Sequence, residues 1–157
     1  MNEFSKCGPE ITRSDIEKLE GDLGVLLPEA MQNHYLKFNG GMPTLDWFPM
    51  TDDWDAIWVH EFLPIATQDG EKSTIQSIHA QVADKAGYPR SLIPFAVDPG
   101  GNLFSVDADS GAVHYWLTDT YDETLPDAEN RLKADRHLTD SFEQFLTSLV
   151  SEDEAFG

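Results

Sequence analysis

The stretch Leu92-Ile93-Pro94-Phe95-Ala96-Val97-Asp98-Pro99-Gly100-Gly101-Asn102-Leu103-Phe104-Ser105-Val106-Asp107-Ala108-Asp109-Ser110-Gly111-Ala112-Val113-His114-Tyr115-Trp116 decides the fold. It reads as three short strands joined by two turns. Leu92, Ile93, Phe95 and Val97 form the first apolar run. Asp98-Pro99-Gly100-Gly101 then supplies turn chemistry, because proline presets one φ and glycine accepts a positive one. Leu103, Phe104 and Val106 make the second run, Asp107 to Gly111 the second reversal, and Val113 to Trp116 the third run. Apolar runs bounded by such clusters are hairpin signals, and two in succession predict an antiparallel meander.

Working outward toward the N-terminus, a helix stripe of Ile75, Ile78, Val82 and Ala86 precedes the meander, with Ser73 as its expected cap and Gly87 and Pro89 as its stop. Further upstream, Ser14-Asp15-Ile16-Glu17 has the spacing of a capping box. Ile16, Leu19 and Leu23 follow at helical spacing, and Gly24 is placed to close that helix. Leu27-Pro28-Glu29 opens a second helix with Met31, Tyr35 and Phe38 on one face, stopped by Asn39-Gly40-Gly41. Residues 1–12 carry no period and read as a flexible lead-in. Between the helix pair and the middle helix, Trp47-Phe48, Ile57-Trp58-Val59 and Phe62-Leu63-Pro64-Ile65 look like strand fragments. Downstream of the meander, 117–136 reads as a long polar loop with a helical turn near Ala128 to Leu132. Phe142, Phe145, Leu146 and Leu149 mark a closing amphipathic helix, and 151–157 is an acidic tail. The expected architecture is a single α+β domain: a mostly antiparallel β-sheet flanked by an N-terminal helix pair, a middle helix and a C-terminal helix.

Composition narrows the function classes. The chain has 157 residues, 40% of them hydrophobic, which is enough for one real core. No run approaches the roughly 20 apolar residues that span a bilayer, and the start lacks the basic-then-apolar order of a secretion signal. A single cysteine, Cys7, forms no internal disulfide and fits a reducing cytoplasm. Against 29 acidic residues stand 10 basic ones, a net charge of −19. Such a surface repels nucleic acid and anionic membranes, since both are bound through Lys and Arg. It favours a basic protein partner and speeds the encounter with it.

Reactive chemistry is hard to find. The glycine pairs Gly40-Gly41 and Gly100-Gly101 precede no phosphate-binding helix. The five histidines are scattered, and His60-Glu61 lacks the second histidine that zinc hydrolases place four residues on. In Asp107 to Gly111 the glycine falls in the wrong register for a calcium loop. Cys7 has little to activate it, and no serine sits in a nucleophile elbow. No catalytic residue, metal ligand or cofactor is expected. The better clue is aromatic: Trp47, Phe48, Trp54 and Trp58 fall within twelve residues and are interleaved with carboxylates. Trp47 and Trp58 read either as core or as anchors, whereas Trp54, flanked by aspartates, is expected at the surface. Asp52, Asp53, Trp54, Asp55 and Trp58 are the candidate partner-binding residues, suited to an arginine-rich surface.

Taken together, these motifs resemble the SUKH superfamily, in its Smi/Knr-like branch. The likeness rests on Leu27-Pro28-Glu29, Phe38-Asn39-Gly40-Gly41, Phe62-Leu63-Pro64-Ile65, Ile93-Pro94-Phe95-Ala96, Gly101 to Asp107, Gly111 to Trp116 and Ser141-Phe142-Glu143-Gln144-Phe145-Leu146, over residues 13–150. The resemblance implies a non-catalytic protein-binding domain. Bacterial members of that family are typically immunity proteins that neutralise a cognate toxin, often a nuclease and hence cationic, in the producing cell's cytoplasm. Fungal relatives regulate cell-wall synthesis by binding other proteins, which gives a regulatory or scaffolding alternative. A small hydrolase built on a carboxylate pair is a third reading, without supporting spacing.

Overall fold

The structure is a computed structural model that describes residues 2–50, 55–83 and 87–157. In chain order its elements are β1 (Phe4–Ser5), α1 (Arg13–Leu23), α2 (Glu29–Lys37), β2 (Met42–Pro43), β3 (Trp47–Phe48), β4 (Ile57–Trp58), β5 (Glu61–Phe62), α3 (Ile75–Ala83), β6 (Leu92–Val97), β7 (Leu103–Asp107), β8 (Val113–Trp116), α4 (Asp127–Ala134), β9 (Asp135–Thr139), α5 (Phe142–Ser148) and α6 (Glu152–Phe156). The fold is a mixed α+β domain with a five-stranded antiparallel sheet in the order β5-β6-β7-β8-β9.

The predicted meander is the centre of that sheet. In its first turn the Asp98 carboxylate accepts from the amides of Gly100 and Asn102, both at 2.9 Å, while Gly101 takes a φ of 86°. In the second, Asp107 accepts from the amide of Asp109 at 2.9 Å. β6 carries Pro94, which has no N–H to give the ladder. The register accordingly slips between Pro94 and Ala96, and the carbonyl of Phe95 turns to the amide of Leu63 and the hydroxyl of Tyr35 instead. Alternation sends Phe104, Val106, Val113 and Tyr115 to one face, where they join the main core with Leu19, Met31, Phe142 and Phe145. The opposite face packs Leu92, Leu103 and Trp116 against Tyr88 and Ala134 in a smaller cluster. Burial on both faces explains why 92–97 is a nearly continuous apolar run.

Several expectations need correction. α1 begins at Arg13, with Thr12 rather than Ser14 as its cap: the Thr12 amide donates to the Asp15 carboxylate at 2.8 Å. The same spacing pattern occurs at Thr12 and at Ser14, and only the earlier one sets the start. Gly24 closes α1 in the left-handed region, at φ 73°. Thr74, rather than Ser73, caps α3, its hydroxyl accepting from the amide of Ser77 at 3.1 Å. Ala86 lies outside the described residues.

The lead-in and the tail also carry structure. Phe4–Ser5 pairs with Met42–Pro43, Phe4 packs on the rings of His34, Phe38 and Phe62, and Ile11 is buried. A two-residue strand leaves no period to read. The acidic tail forms α6, capped by the Ser151 hydroxyl. The polar 117–136 segment holds α4, and β9 begins at Asp135 as the fifth strand of the sheet. Among the described residues, no helix is long and apolar enough to cross a membrane.

Candidate functional site

β3 and β4 pair as a small antiparallel ladder of their own, and their connection, together with β4, carries the predicted binding residues. Of those, Asp52, Asp53 and Trp54 lie outside the described residues. Asp55 is exposed and Trp58 is 37% exposed. The core reading of Trp58 therefore gives way to a surface one. The reason is register. In a strand only alternate residues face inward, so Ile57 and Phe48 fill the core and their neighbours face out.

Trp58 sits directly opposite Trp47 across the ladder, with ring centroids 6.0 Å apart and planes 14° from parallel. Cross-strand aromatic pairs of this kind stabilise the ladder that presents them. The indole Nε1 of Trp58 donates to the Asp46 carboxylate at 3.0 Å, and the Asp46 carbonyl accepts from the amide of Val59 at 2.7 Å. One residue thus fixes both the ring and the strand. His60 adds an edge contact to Trp58 at 5.0 Å. On the other side, Trp47 exchanges two backbone hydrogen bonds with Val150, at 3.0 and 2.9 Å. α6 follows at once, and Phe156, itself 56% exposed, meets the Trp47 ring edge-on at 5.1 Å.

The result is an aromatic ledge of Trp58, Trp47 and Phe156, held by backbone pairing, with the Asp46 carboxylate on the Trp58 indole, Asp55 exposed three residues ahead of Trp58, and Glu152, Asp153 and Glu154 in the first turn of the helix that carries Phe156. Among the described residues, no lysine or arginine lies within ion-pair distance of these carboxylates. An exposed indole next to a carboxylate is suited to an arginine, which can stack on the ring and pair with the acid at once. Sequence reading singled out Asp55 and Trp58 and missed Asp46, Phe156 and α6. Ser151 ahead of a Glu-Asp-Glu run is a usable cap signal, but nothing local says that this helix returns to β3.

Other reactive groups are committed elsewhere. His114 shares a 2.7 Å hydrogen bond with Asp135, and that carboxylate raises its pKa against the opposing effect of burial. Ser105 stands opposite His114 across β7 and β8, yet it is fully buried and its hydroxyl bonds Tyr88 at 2.9 Å. The three residue types of a hydrolase are thus near one another, but the hydroxyl has no route to a substrate. Partial burial pushes the Cys7 thiol up, the opposite of an activated thiolate. Among the described residues, no group of three or more His, Cys, Asp or Glu side chains is arranged to hold a metal ion.

The profile of the SMI1 / KNR4 family (SUKH-1) matches residues 10–148. One relative is the SPbeta prophage-derived uncharacterized protein YokK of Bacillus subtilis (strain 168), 26% identical over 158 residues, with 90% of this chain and 76% of that protein covered. The matched span takes in both N-terminal helices, the whole five-stranded sheet and α5. The chain belongs to the SMI1/KNR4 (SUKH-1) family.

Proposed function

We propose that this chain is a non-catalytic immunity protein that neutralises a basic toxin in the cytoplasm of the cell that makes it, by covering the toxin's active or substrate-binding surface. The observation that carries the reading is the aromatic ledge: two stacked tryptophans and a phenylalanine, held by backbone pairing and accompanied by carboxylates that pair with no lysine or arginine among the described residues. An anionic rim draws a cationic partner in, and the aromatic centre gives short-range affinity once water is expelled. On a nuclease, the acidic rim would take the place of the phosphate backbone in the cleft.

The test is binding to the domain encoded in the neighbouring reading frame. Association slows by at least about tenfold between low and high salt, because long-range steering is screened. Trp58→Ala weakens the complex by about tenfold or more while leaving the fold intact, as expected for a central aromatic anchor. A salt-independent on-rate removes the electrostatic half of the proposal. Full affinity in Trp58→Ala removes the ledge.

A further inference from the structure

β9 is an end strand of the five-stranded sheet and, among the described residues, one ladder attaches it, to β8. Little apolar burial holds it there. Of its five residues only Thr139 is buried, and the register slips between Val113 and His114. An end strand with so few buried contacts opens at lower cost than the strands inside the sheet, so each polar contact it makes to β8 weighs more.

One such contact crosses the ladder from side chain to side chain: His114 Nδ1 on β8 meets Asp135 Oδ1 on β9 at 2.7 Å, with the imidazole largely covered. A neutral ring can still donate to the carboxylate. A charged one makes a bond about twice as strong, and cover from water limits its screening. The groups facing His114 favour the charge. From β9 come Asp135 itself and His137, whose ring meets His114 edge-on at 5.6 Å while its Nε2 goes to Asp140 at 3.0 Å. From β7, Asp107 adds a second negative charge, and the fully buried Ser105 is bonded to Tyr88, whose phenol burial keeps neutral. α4 buries Asn130 and Ala134, neither of which titrates. The bond to Asp135, opposed by burial and then aided by the charges of Asp135 and Asp107, raises the His114 pKa above its ordinary 6.5.

We propose that the His114–Asp135 pair is a proton-operated latch on β9: while the imidazole is charged it holds the end strand to β8, and when the proton leaves the strand loosens. The sign follows from linkage. The closed strand binds this proton more tightly than the opened one, so the hold is complete below about pH 6.5 and is lost as pH rises through the folded value. At the β6–β7 ladder, where Ile93 faces Val106 and Ala96 faces Phe104, no such proton is at stake.

Two measurements on the full chain test this. The carbon-bound ring protons of His114, followed by NMR, give its folded pKa. Amide-exchange protection of 135–139, taken against the intrinsic rate at about pH 5.5 and again about one unit above that folded pKa, gives the hold on β9. Protection of β9 falls by about tenfold for each unit by which the measured pKa exceeds 6.5, while the β6–β7 ladder keeps its protection. His114→Gln keeps a donor for Asp135 but has no proton to lose, and it makes β9 protection level across the range. Asp135→Asn lowers the ring titration and abolishes the fall, whereas His137→Gln retains it. Constant β9 protection in the unaltered chain, a fall that survives in both His114→Gln and Asp135→Asn, or a fall shared equally by the β6–β7 ladder overturns the latch.

Discussion

Replacing Asn39 with alanine tests how the sheet, the helix pair and the N-terminal segment are tied together. The Asn39 side chain is 3% exposed and makes three hydrogen bonds: Nδ2 to the carbonyls of Pro9 at 2.8 Å and Ile65 at 3.0 Å, and Oδ1 from the amide of Ile65 at 2.6 Å. Each such bond contributes roughly 1 kcal/mol net, and each buried partner left alone costs about 1–3 kcal/mol more. Partial relaxation offsets some of this, so Asn39→Ala should lose about 3–4 kcal/mol in urea denaturation. That corresponds to a fall in Tm of about 10 °C for a chain of this size. Asn39→Asp sharpens the test. It keeps the acceptor for Ile65 but sets a carboxylate against two carbonyl oxygens. Burial and those oxygens raise its folded pKa above the unfolded value. Stability is then largest at pH below the unfolded value and is lost as pH rises through the folded one. At neutral pH this variant should be the less stable of the two, and on acidification it should recover relative to alanine. A loss below about 1 kcal/mol for Asn39→Ala would refute the accounting.

Gly40 and Gly101 separate backbone strain from crowding. Both have positive φ, 78° and 86°, but a Cβ on Gly40 would meet the Pro64 nitrogen at 2.6 Å, whereas on Gly101 it meets nothing within 4 Å. Thermal denaturation should therefore show Gly101→Ala costing about 1 kcal/mol and Gly40→Ala at least twice that. His34 is held neutral by burial, then by Lys37, and its pKa falls from 6.5 to about 4. A depressed imidazole adds stability that is complete above about pH 6.5 and is lost as pH falls toward 4. His34→Phe should remove up to about 3 kcal/mol of that acid-side decline, and parallel stability curves for the two proteins between these limits would argue against it.

How much of this could be read from sequence depended on how local the determining physics is. The meander was legible because Asp98, Gly101, Asp107 and Gly111 bond their own neighbours within the turn. Asn39 was legible only as a helix stop, since its role as a tie needs Pro9 and Ile65, far off in the chain. α4 was legible only as a helical turn near Ala128 to Leu132, because its buried residues are only Asn130 and Ala134, too few to make an apolar stripe. β9 escaped because Asp135 and His137 stand where a strand usually shows β-branched residues; they face His114, a polar position of β8. At the candidate site, Trp58 and Asp55 were visible from their aromatic and acidic surroundings. Phe156 was not, because the contact that matters crosses from one end of the chain to β3.

The 42–48 segment is gripped by both extremities of the polypeptide: Phe4–Ser5 zips onto Met42–Pro43, and Val150 onto Trp47. Its order thus comes from seams only a rung or two long. Such a region should be the last to assemble and the first to breathe, exchanging its amide hydrogens far below the global unfolding threshold. A bound protein clamping this belt would slow that exchange there before anywhere else, a footprint that reports occupancy without any knowledge of who the visitor is.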